Sequence, residues 1–298
     1  MKDKNSLKRE FKELLREFVQ SLNGYVSHEG QWTIKGFIDL YKNLYTISAD
    51  TKIISKILEI HLFPKILDFA SEKGYYVVLA DCQNWYPDLS FINKEDNNIK
   101  FAVDLKTTYR DEKFPGHVNG FTLGSHGEYF INRTSSKNIQ IPYAEYLGHF
   151  CLGIIYSRVG HCDLPDIYKV EEIGLGVPST TAKLIPSLKS VVSVINDFMF
   201  FVHEKWEIAS DHQGSSNTAN IGSITWIEDL IEGNGVFKNL GEEVFDNYWM
   251  NYGRLLIKTA DGKEKKITNL KEFLVFKNID QSLIYTKKTK KKHKDREA

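Results

Sequence analysis

The chain has 298 residues, enough to bury a substantial core in one large domain or two small ones. Hydrophobic residues make up 42% and charged residues 26%, which is typical of a soluble globular protein. The net charge of zero excludes a uniformly basic protein that coats DNA, and no apolar run reaches the roughly 18 residues of a membrane span. The N-terminus lacks a signal-peptide core and the three cysteines form no CxxC pair, so we predict a cytoplasmic protein without a membrane partner.

The charge is unevenly distributed along the chain. Residues 287–298, KKTKKKHKDREA, contain seven Lys or Arg and two acids, so this tail carries +5 and the rest of the chain carries −5. We predict one domain over residues 1–286, followed by a basic, disordered tail. Two interpretations of the tail stay open: a solvated end with no further function, and a non-specific contact with phosphates.

The first part of the chain predicts two helices and a strand. Apolar residues recur at helical spacing over residues 6–22, and Asn23-Gly24 should end that helix. A second helix should begin after Asp50, a residue type common at N-caps, and Pro64 should kink or split it. The run Tyr75–Ala80 (YYVVLA) has the composition of a buried strand.

The next segment predicts a β-hairpin. Two strand-like runs, Leu89–Ile92 and Ile99–Thr107, flank the polar cluster at 93–98. If the turn centres near Asp96, residues whose numbers sum to about 192 should face each other across the two strands.

Two aspartates and a lysine share one face of this predicted hairpin. Asp88 and Asp104 have the required sum, so their carboxylates should lie side by side on strands about 5 Å apart. Lys106 follows two residues after Asp104 and therefore lies on the same face. Like charges in this position destabilise a hairpin unless a cation lies between them, so we expect loss of Asp104 to relieve repulsion.

These residue types suit metal-dependent hydrolysis of a phosphodiester. A hard divalent ion takes carboxylate oxygens, polarises a phosphate and lowers the pKa of a bound water. A lysine can hold or help deprotonate the attacking water and balance the charge that develops on the phosphate. The same pattern is also typical of an exposed hairpin with acids and a lysine on its solvated face, and the alternation alone does not separate the two.

The second part of the chain predicts fewer clear elements. Residues 109–140 are rich in Gly, Asn and Ser and are typical of loops with short strands. The apolar runs Tyr143–Val159 and Val191–His203 fit either a helix or a buried strand. A strand is predicted at Trp206–Ala209 and a helix at 242–252. Together the elements indicate an α/β fold, with helices around a mixed central β-sheet of five or six strands and the hairpin at one end.

The hairpin resembles that of the PD-(D/E)XK nucleases, and longer stretches are similar to the EcoRV-like type II restriction endonucleases. The similar segments follow the same order and are Ser48–Lys52, Gln83–Asp88, Val103–Tyr109, Phe121–Gly124, Lys137–Ile139, Trp206–Ala209 and Gly214–Ile224. The resemblance covers roughly residues 45–160 and 205–250, and it implies the restriction-endonuclease-like fold with PD...DxK on the catalytic hairpin. Residues 163–200 match poorly, and we predict an insertion there.

The resemblance implies chemical roles for four residues. Asp88, Asp104 and Lys106 fall on the family's metal-binding and catalytic positions, and Glu59 falls on a further acidic position that would join the metal site. From its helical neighbours alone, Glu59 is a solvated or boundary residue. The implied cofactor is Mg²⁺, with Mn²⁺ as a substitute.

The resemblance also implies two sets of DNA contacts outside the recognition loop. Ammonium and hydroxyl groups bond phosphate oxygens, and the residues similar to positions near the DNA backbone are Thr51, Lys52, Thr107 and Lys137. A second loop, which approaches the minor groove in the family, is matched by Gln83 and Asn84. Cys82 and Trp85 in this loop depart from the family's Gln and His.

A polar loop is similar to the family's recognition loop, which enters the major groove. Its residues are Gly214, Ser215, Ser216, Asn217, Thr218, Ala219 and Asn220. Asn suits bidentate pairing with adenine, backbone amides suit guanine, and a Thr methyl suits thymine. Ser216 and Ala219 depart from the family's Gly and Thr. Without the resemblance, such a loop is typical of a surface turn.

The resemblance implies a type II site-specific deoxyribonuclease that cuts both strands of a short palindrome, GATATC or a related hexamer, to blunt ends. One active site per chain and two equivalent half-sites imply a homodimer on double-stranded DNA. A DNA methyltransferase of the same system would protect the host without binding the enzyme. Two alternatives stay open: a structure-specific repair or recombination nuclease with the same three residues, and a non-catalytic DNA-binding protein on a nuclease scaffold.

Overall fold

The computed structural model describes residues 3–82, 84–159, 166–173, 182–214, 219–258 and 262–286. The predicted tail, Gln83 and the recognition-loop residues 215–218 lie outside the described residues. Within these ranges the α-helices are α1 (Lys4–Val26), α2 (Thr51–Glu72), α3 (Glu128–Ile131), α4 (Ile227–Glu232), α5 (Gly241–Asn251) and α6 (Leu270–Phe276). None of the helices described is long and apolar enough to cross a membrane.

The two long helices extend beyond their predicted breaks. Helix α1 continues through Asn23-Gly24, so its predicted end is wrong, and the fully buried Val26 extends its apolar face. Helix α2 begins after Asp50 as predicted, because the Asp50 carboxylate accepts hydrogen bonds from two backbone N–H groups of the first turn. Helix α2 is not split at Pro64 and remains one element, which lies against the sheet.

The strands are short apart from three long ones in the main sheet. In the described ranges they are β1 (Ser27–His28), β2 (Gln31–Trp32), β3 (Gly36–Ile38), β4 (Asn43–Thr46), β5 (Tyr75–Leu79), β6 (Leu89–Asn93), β7 (Lys100–Tyr109), β8 (Thr122–Ser125), β9 (Gly148–Arg158), β10 (Ile167–Val170), β11 (Lys183–Ile185), β12 (Ile195–Glu204), β13 (Ala209–Gln213), β14 (Asn220–Ser223), β15 (Leu256–Lys258) and β16 (Glu264–Lys266). The long ones are β7, β9 and β12. Both apolar runs that fitted a helix or a strand are therefore strands.

The main sheet has seven strands in the order β1-β2-β12-β9-β7-β6-β5. The predicted number of five or six is too low, because the two-residue strands β1 and β2 at its edge are too short to produce a sequence pattern. Strands β7 and β9 are parallel and the other neighbours antiparallel, so the mixed α/β sheet is confirmed. The hairpin β6–β7 pairs Leu89 with Val103 and Ser90 with Ala102, both with the predicted sum of 192.

Two local predictions are wrong. Strand β5 was expected to be buried, but it forms an edge of the main sheet, and Tyr76 is 57% exposed there. The strand predicted at 206–209 is a 3₁₀ turn over Lys205–Glu207, and β13 starts only at Ala209. Both segments are ordered, as their apolar composition predicts. Their burial and their backbone conformation depend on neighbours that lie far away in sequence.

Side chains from the two faces of the sheet enter two different cores. Phe101 packs with Phe11 of α1 and Leu58 of α2 in the first core. Its neighbour Ala102 points to the opposite face and packs in the second core with Trp249 of α5. Because the sheet is covered on both faces, polar side chains of the hairpin can meet solvent only near the ends of its strands.

Smaller sheets flank the main one. One has the order β11-β10-β4-β3, and another has the order β13-β14-β8 and leads into the predicted recognition loop. Strands β10 and β11 lie within the predicted insertion at 163–200. Residues 195–200 of that range belong to β12 of the main sheet, so an inserted segment would end before Ile195. Single-domain organisation and the insertion stay predictions.

Candidate active site and DNA interface

The hairpin register brings the two predicted aspartates together. Asp88 immediately precedes β6, and its backbone N–H donates a hydrogen bond to Asp104 Oδ1 at 3.2 Å. The backbone N–H of Leu105 donates in turn to Asp88 Oδ2 at 2.8 Å. Each carboxylate is therefore bound by the backbone of the opposite chain segment, which holds both side chains at the same end of the hairpin.

Two ammonium groups face the buried Asp104 carboxylate. Lys106 Nζ lies 3.2 Å and Lys205 Nζ lies 3.8 Å from Asp104 Oδ2. Lys205 is itself buried, with its Nζ 3.6 Å from the centre of the Tyr86 ring. Sequence reasoning missed Lys205, because it follows β12, and β12 reaches the hairpin only through the sheet order β12-β9-β7.

These charges give the two aspartates different acidities. Burial, and then the charge of Asp104, raises the pKa of Asp88 to about 6. Burial also disfavours ionised Asp104, but Lys106 and Lys205 outweigh it and lower the pKa of that carboxyl. Burial disfavours the charged form of Lys106, yet the two aspartates outweigh it and raise the pKa of its ammonium group. Lys106 is therefore a cation at neutral pH.

The two ammonium groups change what is expected from loss of Asp104. The sequence suggested that removing it would relieve repulsion between two carboxylates. In the structure its removal would leave the ammonium of Lys205 buried without its nearest counter-charge. Breaking a buried ion pair from one side is strongly destabilising. Asp88, whose pKa is raised, is the aspartate whose charge the fold disfavours.

The aspartate pair fits a hard divalent cation. Two adjacent carboxylates supply oxygen donors of the kind that Mg²⁺ prefers, and the raised pKa of Asp88 indicates negative charge that the lysines leave partly uncompensated. Among the residues described, no three His, Cys, Asp or Glu side chains are grouped to hold a metal ion. The structure therefore does not bring Glu59 into one ligand set with Asp88 and Asp104.

Glu59 lies near the pair, on helix α2. Its carboxylate forms an ion pair with Lys56 one turn earlier, and its charge contributes to the raised pKa of Asp88. A further contact joins the helix to the hairpin, because the hydroxyls of Ser55 and Thr107 hydrogen-bond each other. Helix α2 thus places Glu59 beside the β6–β7 hairpin, which the helical pattern could not show.

A polar cavity of about 470 Å³ opens beside the aspartates. It collects most of the residues predicted at the DNA backbone and second loop, since its lining includes Asp88 and Glu59 together with Thr51, Lys52, Thr107 and Asn84. Lys137 is not part of this lining; it is 65% exposed and pairs with Glu128 at 3.0 Å. Of the described residues in these two predicted sets, all but Lys137 therefore line one cavity.

The predicted recognition loop rises from strands β13 and β14. At its base the backbone N–H of Gly214 donates to Asn220 O at 3.1 Å. On the other side, the backbone N–H of His126 donates to Ala219 O at 2.9 Å, which ties the loop to the segment after β8. These bonds hold the ends of the loop, and the four residues between them lie outside the described part of the chain.

Comparison with known proteins identifies the family. The sequence model of the restriction endonuclease EcoRV family matches residues 28–278 of this chain. The chain is also 32% identical over 254 residues to the type II restriction enzyme EcoRV of Escherichia coli, with 85% of this chain and 94% of the relative covered. The chain belongs to the EcoRV family. It is a type II restriction endonuclease, and its mixed sheet flanked by helices agrees with the fold expected for that family.

The β6–β7 hairpin of this restriction endonuclease therefore carries two aspartates and a lysine, and its strands pair in the register that the sequence predicts. At the end of the hairpin, Asp88 is within hydrogen-bond distance of Asp104 and Lys106 is within ion-pair distance of it. Such a set, beside a polar cavity, combines oxygen donors for a cation with one fixed ammonium group. Binding alone requires no such combination, whereas hydrolysis of a phosphodiester uses both parts.

Proposed function

We propose that this restriction endonuclease hydrolyses one phosphodiester in each strand of a short palindromic DNA site, with a divalent cation as cofactor. The observation that carries the proposal is the hydrogen-bonded pair Asp88 and Asp104 with Lys106 at 3.2 Å, at the wall of a polar cavity. Mg²⁺ is the proposed cation, and Mn²⁺ would substitute for it.

Each residue of the set has one task in this proposal. Asp88 and Asp104 would hold the cation, which would polarise the scissile phosphate and lower the pKa of a water molecule. Lys106 would orient the attacking water and stabilise negative charge on the phosphate by donating hydrogen bonds from Nζ. Its ammonium group, 3.2 Å from Asp104 Oδ2, would be held in place for this donor function.

The other residues of the cavity would position DNA. Lys52, Thr51, Thr107 and Asn84 would bond the backbone and the minor-groove edge. Lys56 also lines the cavity and is 55% exposed, so a phosphate that enters can compete with Glu59 for its ammonium group. Glu59 would then be free to act as the further acidic residue of the site.

We propose GATATC or a related hexamer as the target, cut at its centre to blunt ends. Residues 214–220 would read its major groove and Gln83 with Asn84 would approach the minor groove. Asn217 would pair with an adenine through two hydrogen bonds, and backbone donors at Ser216 and a methyl group at Ala219 would be kept despite the departures from the family. Lys137 would add a contact with the backbone at the periphery.

A homodimer is proposed as the active form, because a palindrome has two equivalent halves and each chain has one catalytic hairpin. The four-stranded sheet supports a contact between two copies. Its outer strand β3 and the following turn expose Phe37, Ile38, Leu40 and Tyr41, and Leu40 is 90% exposed. Such a cluster of exposed apolar side chains is typical of a protein interface. Light scattering on the free protein should give twice the mass of one chain.

We propose that the protein acts in the cytoplasm as part of a restriction–modification system. A DNA methyltransferase of the same system would modify the same sequence and would need no contact with the nuclease. Cys82 and Cys151 are free thiols in the structure, which suits a reducing cytoplasm.

Digestion of DNA of known sequence tests the main proposal. With Mg²⁺, the protein should convert a plasmid into discrete fragments whose mapped ends are blunt and lie within one palindrome. Nicks at branched or mismatched DNA, without sequence preference, would instead indicate a structure-specific nuclease. Binding without any cleavage in Mg²⁺ or Mn²⁺ would contradict the proposal outright.

Asn217→Ala tests the assigned readout separately from cleavage. Loss of a bidentate base contact costs roughly 1–3 kcal/mol of discrimination, and misalignment of the scissile phosphate would add to that loss in the transition state. The variant should lose cleavage of its own site far more than it loses affinity for DNA, because phosphate contacts dominate affinity. Cleavage at the wild-type rate would show that the loop does not read this base.

A further inference from the structure

Two lysines face the same oxygen atom of Asp104 from different sides. Lys106 Nζ and Lys205 Nζ lie 3.2 Å and 3.8 Å from Asp104 Oδ2, while Oδ1 accepts a hydrogen bond from the backbone N–H of Asp88. The Lys205 side chain is 5% exposed, against 22% for Lys106. Of the two ammonium groups, that of Lys106 is therefore the one that solvent or a phosphate can reach.

The Lys205 ammonium group is enclosed by aromatic rings and by the backbone of β8. Its Nζ lies 3.6 Å from the centre of the Tyr86 ring, and this ring stacks on that of Tyr129 at 5.4 Å. Gly124 of β8 has a φ of 94°, and a Cβ there would lie 3.0 Å from Lys205 Nζ. The face of an aromatic ring attracts a cation that has lost its water. The ammonium group is thus fixed between these neighbours and Asp104.

The backbone around Lys205 is held by buried ion pairs with helix α1. Lys8 Nζ lies 2.7 Å from Glu204 Oε2, and Lys12 forms an ion pair with Glu207. The Glu207 carboxylate also accepts the backbone N–H of Glu204 at 2.8 Å, across the 3₁₀ turn that contains Lys205. Both flanks of Lys205 are therefore fixed by the packing of α1 against the end of β12.

The task proposed for Lys106 competes with its contact to Asp104. In hydrolysis, Lys106 Nζ would donate hydrogen bonds to the attacking water and to the phosphate. An ammonium group that turns toward DNA weakens its hold on Asp104, a carboxylate that is 3% exposed. Asp104 would then keep the backbone N–H of Asp88 at Oδ1 and the ammonium group of Lys205 at Oδ2. Lys205 can therefore replace Lys106 as the ion-pair partner on the buried side.

We propose that Lys205 is a positioning residue for DNA cleavage, which holds Asp104 from the buried side and so releases Lys106 to the phosphate. The inference rests on the proposed function, because it depends on the task of Lys106 in hydrolysis. Lys205 is buried and acts through Asp104 and Lys106, without contact with DNA. Displacement of a reacting group by about 1 Å lowers a rate by roughly 100-fold. Loss of Lys205 should therefore affect the chemical step and leave affinity for DNA unchanged.

Lys205→Met tests the inference, because it keeps the apolar stem and removes the charge. Single-turnover cleavage of a duplex that contains the mapped target, measured below the melting temperature of each variant, should be slower by about 10–100-fold. Affinity for this duplex without divalent metal should stay within about twofold, because phosphate contacts at the surface dominate it. Lys100→Met is the matched control: Lys100 is a largely buried lysine on β7 that pairs with Glu145 at 2.6 Å, and its loss should leave the cleavage rate unchanged.

Cation binding separates positioning from general damage to the site. Without Lys205, Lys106 should stay at Asp104, so both aspartates remain in place beside one positive charge fewer. Coulombic repulsion of a cation then decreases. Lys205→Met should therefore bind Mn²⁺ as tightly as the wild type or more tightly, measured from the electron paramagnetic resonance signal of free Mn²⁺. A damaged site would instead bind Mn²⁺ more weakly.

A double variant tests whether Lys205 acts through Lys106. If it does, Lys205→Met combined with Lys106→Ala should cleave at the rate of Lys106→Ala alone, within about twofold. Losses that multiply would show an independent effect.

Lys12→Met tests Lys205 without removing its charge. It breaks the ion pair with Glu207 and loosens the turn that carries Lys205, so cleavage should slow by about 3–10-fold. This loss should also disappear in the Lys106→Ala background. The variant decides the question if Lys205→Met does not fold, because Asp104 keeps both of its ammonium partners.

The outcomes separate this inference from the proposed function. Cleavage by Lys205→Met at the wild-type rate would overturn the inference, as would weaker Mn²⁺ binding or multiplying losses with Lys106→Ala. In each of these cases the wild-type protein still cuts its target, so the proposed function stands. If the wild-type protein cuts no DNA with Mg²⁺ or Mn²⁺, the proposed function fails, and the task of Lys205 fails with it.

Discussion

The β6–β7 hairpin and the strands that flank the predicted recognition loop line two cavities that share Asn119 and Gly120, and they are built differently. At the hairpin, side-chain charges and backbone N–H groups hold Asp88 and Asp104 in a regular β-ladder. Next to the predicted recognition loop, the pairings of β13 with β14 and of β14 with β8 both contain register shifts. The backbone segments approach each other closely there at Gly214 and Gly222. A Cβ on Gly222 would lie 2.5 Å from the carbonyl oxygen of His212. We therefore expect chemistry to depend on the charge balance at the hairpin, and recognition to depend on the close approach of the backbone of β13 and β14.

The largest effect that this comparison predicts is at the catalytic end. Lys106→Ala should lower the rate of DNA cleavage by about 10²–10³-fold, because a positioned electrostatic donor to the phosphate is lost. Binding of the cation should persist, since both aspartates remain. Lys100→Ala is the matched control on the same strand, because the Lys100 ammonium pairs with Glu145 at 2.6 Å near the start of β7. Single-turnover cleavage at the wild-type rate in Lys106→Ala would refute the assignment.

The two aspartates should respond in opposite ways in the metal-free protein. The pKa of Asp88 is raised to about 6, so the folded protein binds a proton there more tightly than the unfolded chain does. Its contribution therefore becomes unfavourable as the pH rises from about 4 to about 6, and reaches on the order of 1–3 kcal/mol at neutral pH. Asp88→Asn should raise the melting temperature in EDTA at pH 7.5, and this gain should vanish below pH 4.

Asp104→Asn should have the opposite effect on the melting temperature of the metal-free protein. The pKa of Asp104 is lowered by Lys106 and Lys205 in spite of burial, so its ionised form stabilises the fold, and this stability is lost only as the pH falls through its folded pKa. The substitution should therefore lower the melting temperature at pH 7.5. Equal shifts for Asp88→Asn and Asp104→Asn would contradict the charge assignment.

A smaller effect should separate the recognition end from the hairpin. Gly222→Ala places a methyl group against the backbone of β13, which no side-chain rotation relieves, and should cost about 1–3 kcal/mol of stability. Cleavage of the target should fall with little change in metal affinity, because Asp88 and Asp104 are untouched. Gly24→Ala in helix α1 is the control: it has open space and should stabilise the helix slightly. Normal target cleavage by Gly222→Ala would show that the strand spacing does not matter.

The smallest effect is expected at the edge of the interface. Lys137 is largely exposed and pairs with Glu128 on the surface, away from the catalytic cavity. Lys137→Ala should change stability by no more than about 0.5 kcal/mol, and it should reduce the salt slope of DNA binding by about 1 if the residue contacts a phosphate. An unchanged slope in the same binding assay would remove Lys137 from the interface.

The sequence by itself determined the β6–β7 hairpin. A turn centred near Asp96 and the alternation of side chains were sufficient to pair residues with the sum 192, and the observed register has that sum. These features are local, because a short turn leaves few possible registers and a strand has a strict period of two. The cap at Asp50 and the helix that follows it were predictable for the same reason.

Only the tertiary structure decided which distant residues join that hairpin. Lys205 reaches Asp104 because β12, β9 and β7 lie side by side in the sheet. The sequence pattern of residues 203–207 does not predict this contact. The two short edge strands, the exposure of β5 and the position of Glu59 beside the aspartates depend in the same way on neighbours far along the chain. Periodicity shows which face of an element is apolar, but the partner that covers that face is selected by packing of the whole sheet.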